Sequence, residues 1–320
     1  MKSRLPFQTL RGQLTLWFLL LAALPLLLFG AVIYRQQSQA IREEAGIKLA
    51  AVRDLKVERI TAWMSEFAGD IESIIAYNRE ILLPGGSGSL ETNAATLGYL
   101  RTVFNNHIRH HGSFSDLSVI DPRTARIIVS STGKYEGESV ATSPNFLEPL
   151  RTKKPSFREV HLSDLTGARR MNIVVPLVVP GPEAVVAAIF VADIDMNLFD
   201  KLLQERAGTG DTGETLVVNR DAVALNQLRY HENAPLRLKL TGGAAILAAE
   251  GKTGVIEAKD YRGVPIVAAY TFIPSVGWGF VAKQDQAEIY EPIAALLKSL
   301  TILLYLLVPL IVVIFSNLTA

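Results

Sequence analysis

The chain has 320 residues, with 32 Lys and Arg against 31 Asp and Glu, and no cysteine. Near-even charge excludes the basic excess of a nucleic-acid binder, and the missing thiols exclude disulfide scaffolds, thiolate metal sites and Cys nucleophiles. A mean hydropathy of +0.25 with only 20% charged residues requires a concentrated apolar reserve somewhere in the chain.

That reserve lies at the two ends. Residues 14–34 (LTLWFLLLAALPLLLFGAVIY) and 299–315 (SLTILLYLLVPLIVVIF) carry no charge. As a helix the first run spans roughly 30 Å, about a bilayer core. The rival reading is a cleaved signal peptide, whose apolar region is only about 7–15 residues and ends in small-x-small residues. Phe29-Gly30-Ala31 fits that poorly. Two transmembrane helices are therefore expected. Lys2, Arg4 and Arg11 precede the first, so residues 1–13 are placed in the cytoplasm, 35–298 outside and 316–320 inside again.

Between the runs, a proline-free stretch at 35–83 repeats apolar residues at helical spacing through Leu49, Val52, Ile60, Trp63, Phe67, Ile71 and Ile74. The spacing predicts a stalk helix of roughly 70 Å. That exceeds what one domain needs internally, so the helix is expected both to pack on its own domain and to pair with a second copy, with Trp63, Phe67 and Ile71 near the contact. Residues 84–89 (PGGSGS) read as a flexible turn. A helix over 91–110 follows, then strands at 114–121 and 126–131 around a DPRTA turn, and a short helix at 144–151. Strands at 157–162, 170–179 and 184–193 come next, then a helical connector at 197–206. VPLVV and AVVAAIFVAD are nearly unbroken apolar runs, which marks central strands buried on both faces. A shorter version then repeats: strands 215–219 and 222–228, a helix at 243–250, and strands 255–259, 264–273 and 278–284. This predicts one five-stranded architecture used twice. A last helix, 287–298, is expected to run unbroken into the second span. The fold class is α+β.

Several motif-like stretches do not carry chemistry. Gly208-Thr209-Gly210-Asp211-Thr212-Gly213 matches G-x-G-x-x-G, but a helix precedes it and a strand follows, the reverse of a dinucleotide fold. Gly251-Lys252-Thr253 resembles the end of a P-loop whose first glycine would fall on Ile246. His107, His110 and His111 could share one helix side and a metal, though a solvated helix end is the simpler reading. No nucleophile motif and no acid/base carboxylate pair stands out, so no catalytic residue, metal site, cofactor or enzymatic activity is expected.

The segments TGETLVVNRD (212–221), LNQLRYHENAPLRLKL (225–240) and DYRGVPIVAAYTFIPSVGWGFVAKQDQAEIYEPI (260–293) resemble double Cache sensor domains. These are the tandem PAS-like domains of bacterial transmembrane histidine kinases, diguanylate cyclases and chemoreceptors. The resemblance covers 35–298. It implies a stalk helix at 35–83, a membrane-distal lobe at 91–195, a connector at 196–207, a membrane-proximal lobe at 208–286 and an exit helix at 287–298. It further implies a periplasmic sensor of the inner membrane that forms a homodimer, binds a small molecule in the distal lobe and signals to a cytoplasmic output domain lying beyond this chain. The family's amino-acid motif, R-x-W-Y, then Y-x-D, then a final Asp, falls on Ser143-Pro144-Asn145-Phe146, His161-Leu162-Ser163 and Asp193. Only Asp193 is kept. Without the arginine there is no bidentate grip for an α-carboxylate, so the resemblance does not extend to an amino-acid ligand.

The candidate pocket residues are Phe146, His161, Arg170, Asn172 and Asp193. Phe146 would supply an apolar wall, and His161 a charge that changes near pH ~6.5. Strand alternation lets either Arg169 or Arg170 face inward with Asn172 and suit a carboxylate, while Asp193 would suit an amine. The alternatives are that the Arg pair is a solvated hairpin end and that Asp193 caps the helix at Asn197. The function expected is a ligand-binding sensor; the alternative is a ligand-free dimerisation module of a receptor.

Overall fold

The computed structural model describes residues 10–83, 92–163, 167–181 and 184–318. Helix α1 (Leu10–Tyr77) is continuous over 68 residues, roughly 100 Å. It ends at Asn78, whose side-chain amide and backbone N–H both donate to the Ile74 carbonyl, at 2.7 and 3.3 Å. A side chain that competes for the helix's own acceptor favours termination, so the helix expected through 83 breaks here and resumes as the single turn α2 (Arg79–Leu82). The turn expected at 84–89 lies outside the described residues. Helix α3 (Ala94–His111) is capped by Asn93, which accepts from Thr96 N at 2.8 Å, and closed by Gly112 at φ +65°.

The first sheet contains β1 (Phe114–Asp121), β2 (Arg126–Ser130), β3 (Ser156–Leu162), β4 (Arg169–Val179) and β5 (Val185–Ile194). Its strands are antiparallel in the order β2-β1-β5-β4-β3. The two apolar runs are its buried inner strands. Helix α4 (Pro144–Thr152), with Pro144 in its first turn, covers the outer face. Helix α5 (Met196–Gln204) leads onward, capped by Asp195, which accepts from Asn197 N at 2.8 Å. Asp193 is therefore not the cap.

The second sheet contains β6 (Glu214–Val218), β7 (Gly254–Lys259), β8 (Pro265–Ile273) and β9 (Trp278–Asp285), in the order β6-β9-β8-β7, with α6 (Gly243–Ala249) on its outer face. It repeats the first sheet without the second strand. Residues 222–228 make only isolated bridges, Val218 to Ala224, Val223 to Lys239 and Leu228 to His231, where a fifth strand was expected. The cause is local: Asn219 Oδ1 accepts from Asp221 N and Val223 N, at 3.0 and 2.9 Å, and Ala222 adopts φ +59°. Such an Asx turn rolls the chain away from an extended register.

Both sheets lay their inner faces on α1 and share one core. It runs from Leu49, Ile60 and Phe67 through Ile173 and Phe190 to Trp278 and Phe280. An aromatic chain crosses it, with ring centroids 4.4 Å apart for Trp63–Phe67, 5.6 Å for Phe199–Trp278 and 5.7 Å for Phe157–Trp278. Phe67 and Ile71 are 1% and 2% exposed within a single copy. The stripe therefore packs on the chain's own sheets, as expected, but Phe67 and Ile71 are too buried there to touch a partner as well, and Trp63 is half-buried beside them. On the opposite side α1 leaves Ile47 and Leu55 72% and 57% exposed.

After β9 the chain forms the turn α7 (Gln286–Ile289) and then α8 (Glu291–Leu318). The helix expected to be unbroken from 287 is interrupted at Tyr290. Among the described residues one segment, Glu291–Leu310, is long and apolar enough to cross a membrane. Residues 14–34 form part of α1.

Candidate functional site

A cleft opens on the outer face of the first sheet, where that face changes from apolar to polar. Toward one end, Ile120, Phe146, Val174 and Ile189 pack beneath α4 as a small core. Toward the other, the same alternation presents Asp116 and Ser118 on β1, Asp193 on β5, and Arg170 and Asn172 on β4, while a register shift within β3 brings both Arg158 and His161 to this side. The ladder aligns them. Asp193 lies opposite both Asp116 and Asn172, Asn172 opposite Arg158, and Arg170 opposite His161. The segment 131–143 roofs the cleft with Lys134 and Tyr135, and the space, mouth included, is about 820 Å³.

Four of the five candidate residues, His161, Arg170, Asn172 and Asp193, therefore line one cleft. Phe146 does not. Helix α4 turns its ring into the apolar cluster beside the cleft on the same sheet face, where it is buried, and Tyr135 supplies the aromatic wall instead. The choice between the two arginines is also resolved. Arg169 points to the other face, paired with Asp200 of α5 and donating to Leu225 O at 3.3 Å, whereas Arg170 pairs with Asp193. Asp193 also accepts from the Asn172 amide, and Asn172 in turn accepts from Asn145 Nδ2 at 3.0 Å.

Asp116, Lys134, Asn145 and Arg158 were not singled out from sequence. Asp116 had a legible signal: it alternates with Ser118 on a strand whose inner face is apolar. Its carboxylate accepts from Ser130 Oγ at 3.0 Å, from Ser131 Oγ, and from Thr132 N at 3.3 Å. The roof is pinned by Glu136, whose two oxygens share Arg101 Nη2 of α3 at 2.6 and 2.8 Å and which accepts from Ser130 N at 2.8 Å. Burial pushes this carboxyl up, but the Arg101 pair and the Ser130 amide outweigh it and hold its pKa below the ordinary value.

The corresponding place in the second sheet is closed. Glu214 lies opposite Lys283 as Asp116 lies opposite Asp193. The Lys283 ammonium, 1% exposed, sits 2.7 Å from Glu214 and 2.5 Å from Asp260. Arg262 bridges Asp260 at 2.7 Å and Asp285 at 2.5 Å and lies 4.1 Å over the Tyr230 ring. Tyr261 Oη donates to Glu214 at 2.9 Å. Burial and the Glu214 charge together raise the Tyr261 pKa well above its usual range.

The glycine-rich 208–213 segment is a turn with an unexpected occupant. Its Asp211 and Thr212 N–H groups each donate to the Glu288 carboxylate of α7 at 2.8 Å, and the Thr212 hydroxyl adds a third bond. Gly210, at φ +77°, favours glycine: a Cβ there would stand 2.3 Å from both Gln284 Nε2 and Glu288 Oε1 and would displace those side-chain ends from the turn.

No protein-family model and no functionally curated protein matches the sequence. Solved structures do resemble the fold. The periplasmic sensory domain of the Campylobacter jejuni chemoreceptor Tlp1 aligns with TM-score 0.59 at 16% identity, over 79% of this chain and 99% of that one. The ligand-binding domain of the Pseudomonas fluorescens chemoreceptor CtaA, solved with L-isoleucine, aligns with TM-score 0.55 at 14% identity, over 80% and 98%. The ligand-binding domain of Mlp24, solved with asparagine, aligns with TM-score 0.53 at 13% identity, over 82% and 99%. At such identities the likeness speaks for architecture, and on those grounds the chain has the double Cache fold of periplasmic ligand-binding sensor domains.

Proposed function

We propose that the chain is the sensing part of a membrane-anchored receptor. Residues 14–34 and 299–315 cross the bilayer, and the region between them lies outside the cytoplasmic membrane. A small solute enters the cleft of the distal lobe (91–195). The connector (196–207) and the proximal lobe (208–286) relay its arrival to α7 and α8, and so to a histidine kinase or diguanylate cyclase. Residues 35–83 form the stalk, which pairs with a second copy through the side bearing Ile47 and Leu55. The observation that carries the reading is the cleft itself: a partly open pocket with a polar row aligned by strand register, in a fold whose solved neighbours bind small molecules.

The ligand-free dimerisation module stays as a second reading, favoured by the Arg170–Asp193 pair, which balances charge in the cleft without a solute. The test is a melting-temperature screen of the full chain in detergent against small organic solutes, repeated with Ser118→Phe, which fills the cleft from its floor. A solute that stabilises the wild type and not Ser118→Phe supports the sensor. Equal stabilisation of both places the site elsewhere.

A further inference from the structure

We infer that a second cleft, between the connector and the second sheet, binds a small inorganic oxyanion of the phosphate or sulfate type, independently of any solute in the first sheet's cleft. The end of α5, the glycine-rich turn, the start of β6 and residues 227–229 enclose it, and the space, mouth included, is about 750 Å³. Its two acids are matched by cations from outside the lining. Glu205 pairs with Arg59 of α1 at 2.7 Å, and Glu214 pairs with Lys283 at 2.7 Å. Its two guanidinium groups have no carboxylate. The Arg206 side chain is exposed and makes no hydrogen bond or ion pair among the described residues. The Arg229 side chain donates only through Nη1, to the neutral carbonyls of Asp211 and, at 3.3 Å, of Gly213.

A carbonyl partner orients a guanidinium without neutralising it, so Arg229 keeps its charge, and its Nε and Nη2 N–H groups keep room for an acceptor. One arginine stands on the connector and the other on the proximal lobe, so a single anion can serve both. Guanidinium N–H forks match the oxygens of phosphate and sulfate. Gln204, whose amide has no partner among the described residues, adds a neutral donor to the same lining. An organic acid fits less well. The apolar side chains of the lining, Leu203 and Leu228, are 1% and 3% exposed and offer a carbon chain almost no surface. The turn bordering this cleft also holds Glu288 of α7 through two backbone N–H groups, so an anion here would brace the connector against the turn that carries α7.

The test titrates the full chain in detergent with sodium phosphate, sodium sulfate and sodium succinate, each against sodium chloride of equal ionic strength, and follows Tm. Phosphate and sulfate also stabilise proteins generally by exclusion from their surface, so the quantity read is the saturable part of the rise. Phosphate or sulfate should show one and succinate should not. Arg206→Gln and Arg229→Gln should each weaken the oxyanion about tenfold or more. Ser118→Phe, which fills the first sheet's cleft, should leave the oxyanion effect unchanged. Should Arg229→Gln fail to fold because the Nη1 bonds are lost, Arg206→Gln, whose side chain has no such bond to lose, decides alone. An oxyanion effect without saturation overturns the inference, and so does one unchanged in Arg206→Gln. An effect lost in Ser118→Phe overturns it by moving the anion to the first sheet's cleft. Succinate stabilising as strongly as either oxyanion overturns the inorganic assignment.

Discussion

Replacing Lys283 by methionine keeps the length of the side chain and removes the charge that closes the second sheet's outer face. Glu214 would retain the Tyr261 hydroxyl and the Arg229 N–H at 2.7 Å. Asp260 would retain Arg262 and the backbone N–H groups of Arg262 and Val264, at 2.8 and 3.2 Å. Stranding one side of a buried ion pair generally costs about 3–5 kcal/mol. These surviving donors place Lys283→Met at the lower end, about 3 kcal/mol, a fall of roughly 6–12 °C in Tm for a region of this size. Adding Glu214→Gln removes a stranded carboxylate and should recover a substantial part of that loss. Thermal melts followed by tryptophan fluorescence suit the measurement, because Trp278 on the same strand is fully buried. A fall below 2 °C, or single and double variants that add without coupling, would refute the reasoning.

Two further outcomes follow from α1. Lys56, 3% exposed, donates to the carbonyls of Leu202, Leu203 and Glu205 at 3.0, 3.4 and 2.6 Å, and burial lowers its pKa to about 8 against the pull of Glu205. Between pH 8 and 10.5 the unfolded chain still holds that proton and the folded chain has released it, so this residue's contribution to stability rises with pH in that window. The difference between wild-type and Lys56→Met stability curves should slope accordingly above pH 8, and a flat difference would remove Lys56 as a titrating group. For the stalk, single cysteines introduced at 47 and 55 of this cysteine-free chain should cross-link in membranes, while cysteines at 67 and 71 should not. The reverse pattern would overturn the proposed dimer face.

The fold was largely legible because its strongest signals are local. Apolar runs such as VPLVV and AVVAAIFVAD have one comfortable place, the middle of a sheet, and β4 and β5 occupy it. The periodicity of Trp63, Phe67 and Ile71 revealed a buried face correctly, but period says nothing of which body does the burying. The missing fifth strand of the second sheet hid behind an alternating pattern that the Asn219 side chain overrides by taking two backbone amides. In the cleft, Arg170, Asn172 and Asp193 could be nominated by alternation, whereas Phe146 was misplaced because a motif position does not fix how a short helix rolls. The Lys283 network was out of reach: its partners stand 23 and 69 positions away, brought together by register alone.

The cleft and the long helix α1 lie on opposite sides of a sheet one residue thick. Asn172 and Asp193 face the cleft, while their chain neighbours Met171, Ile173, Ala192 and Ile194 face the core shared with α1. A strand is stiff along its length, and adjacent side chains sit on successive Cα atoms joined by one planar peptide. Any tilt of β4 or β5 that tightens the outer row must therefore swing the inner row against the rod by a comparable amount. Were a solute in the proposed site to shift the outer row, the strands themselves would carry that shift to the inner row, as a diaphragm does, and no separate hinge would be needed.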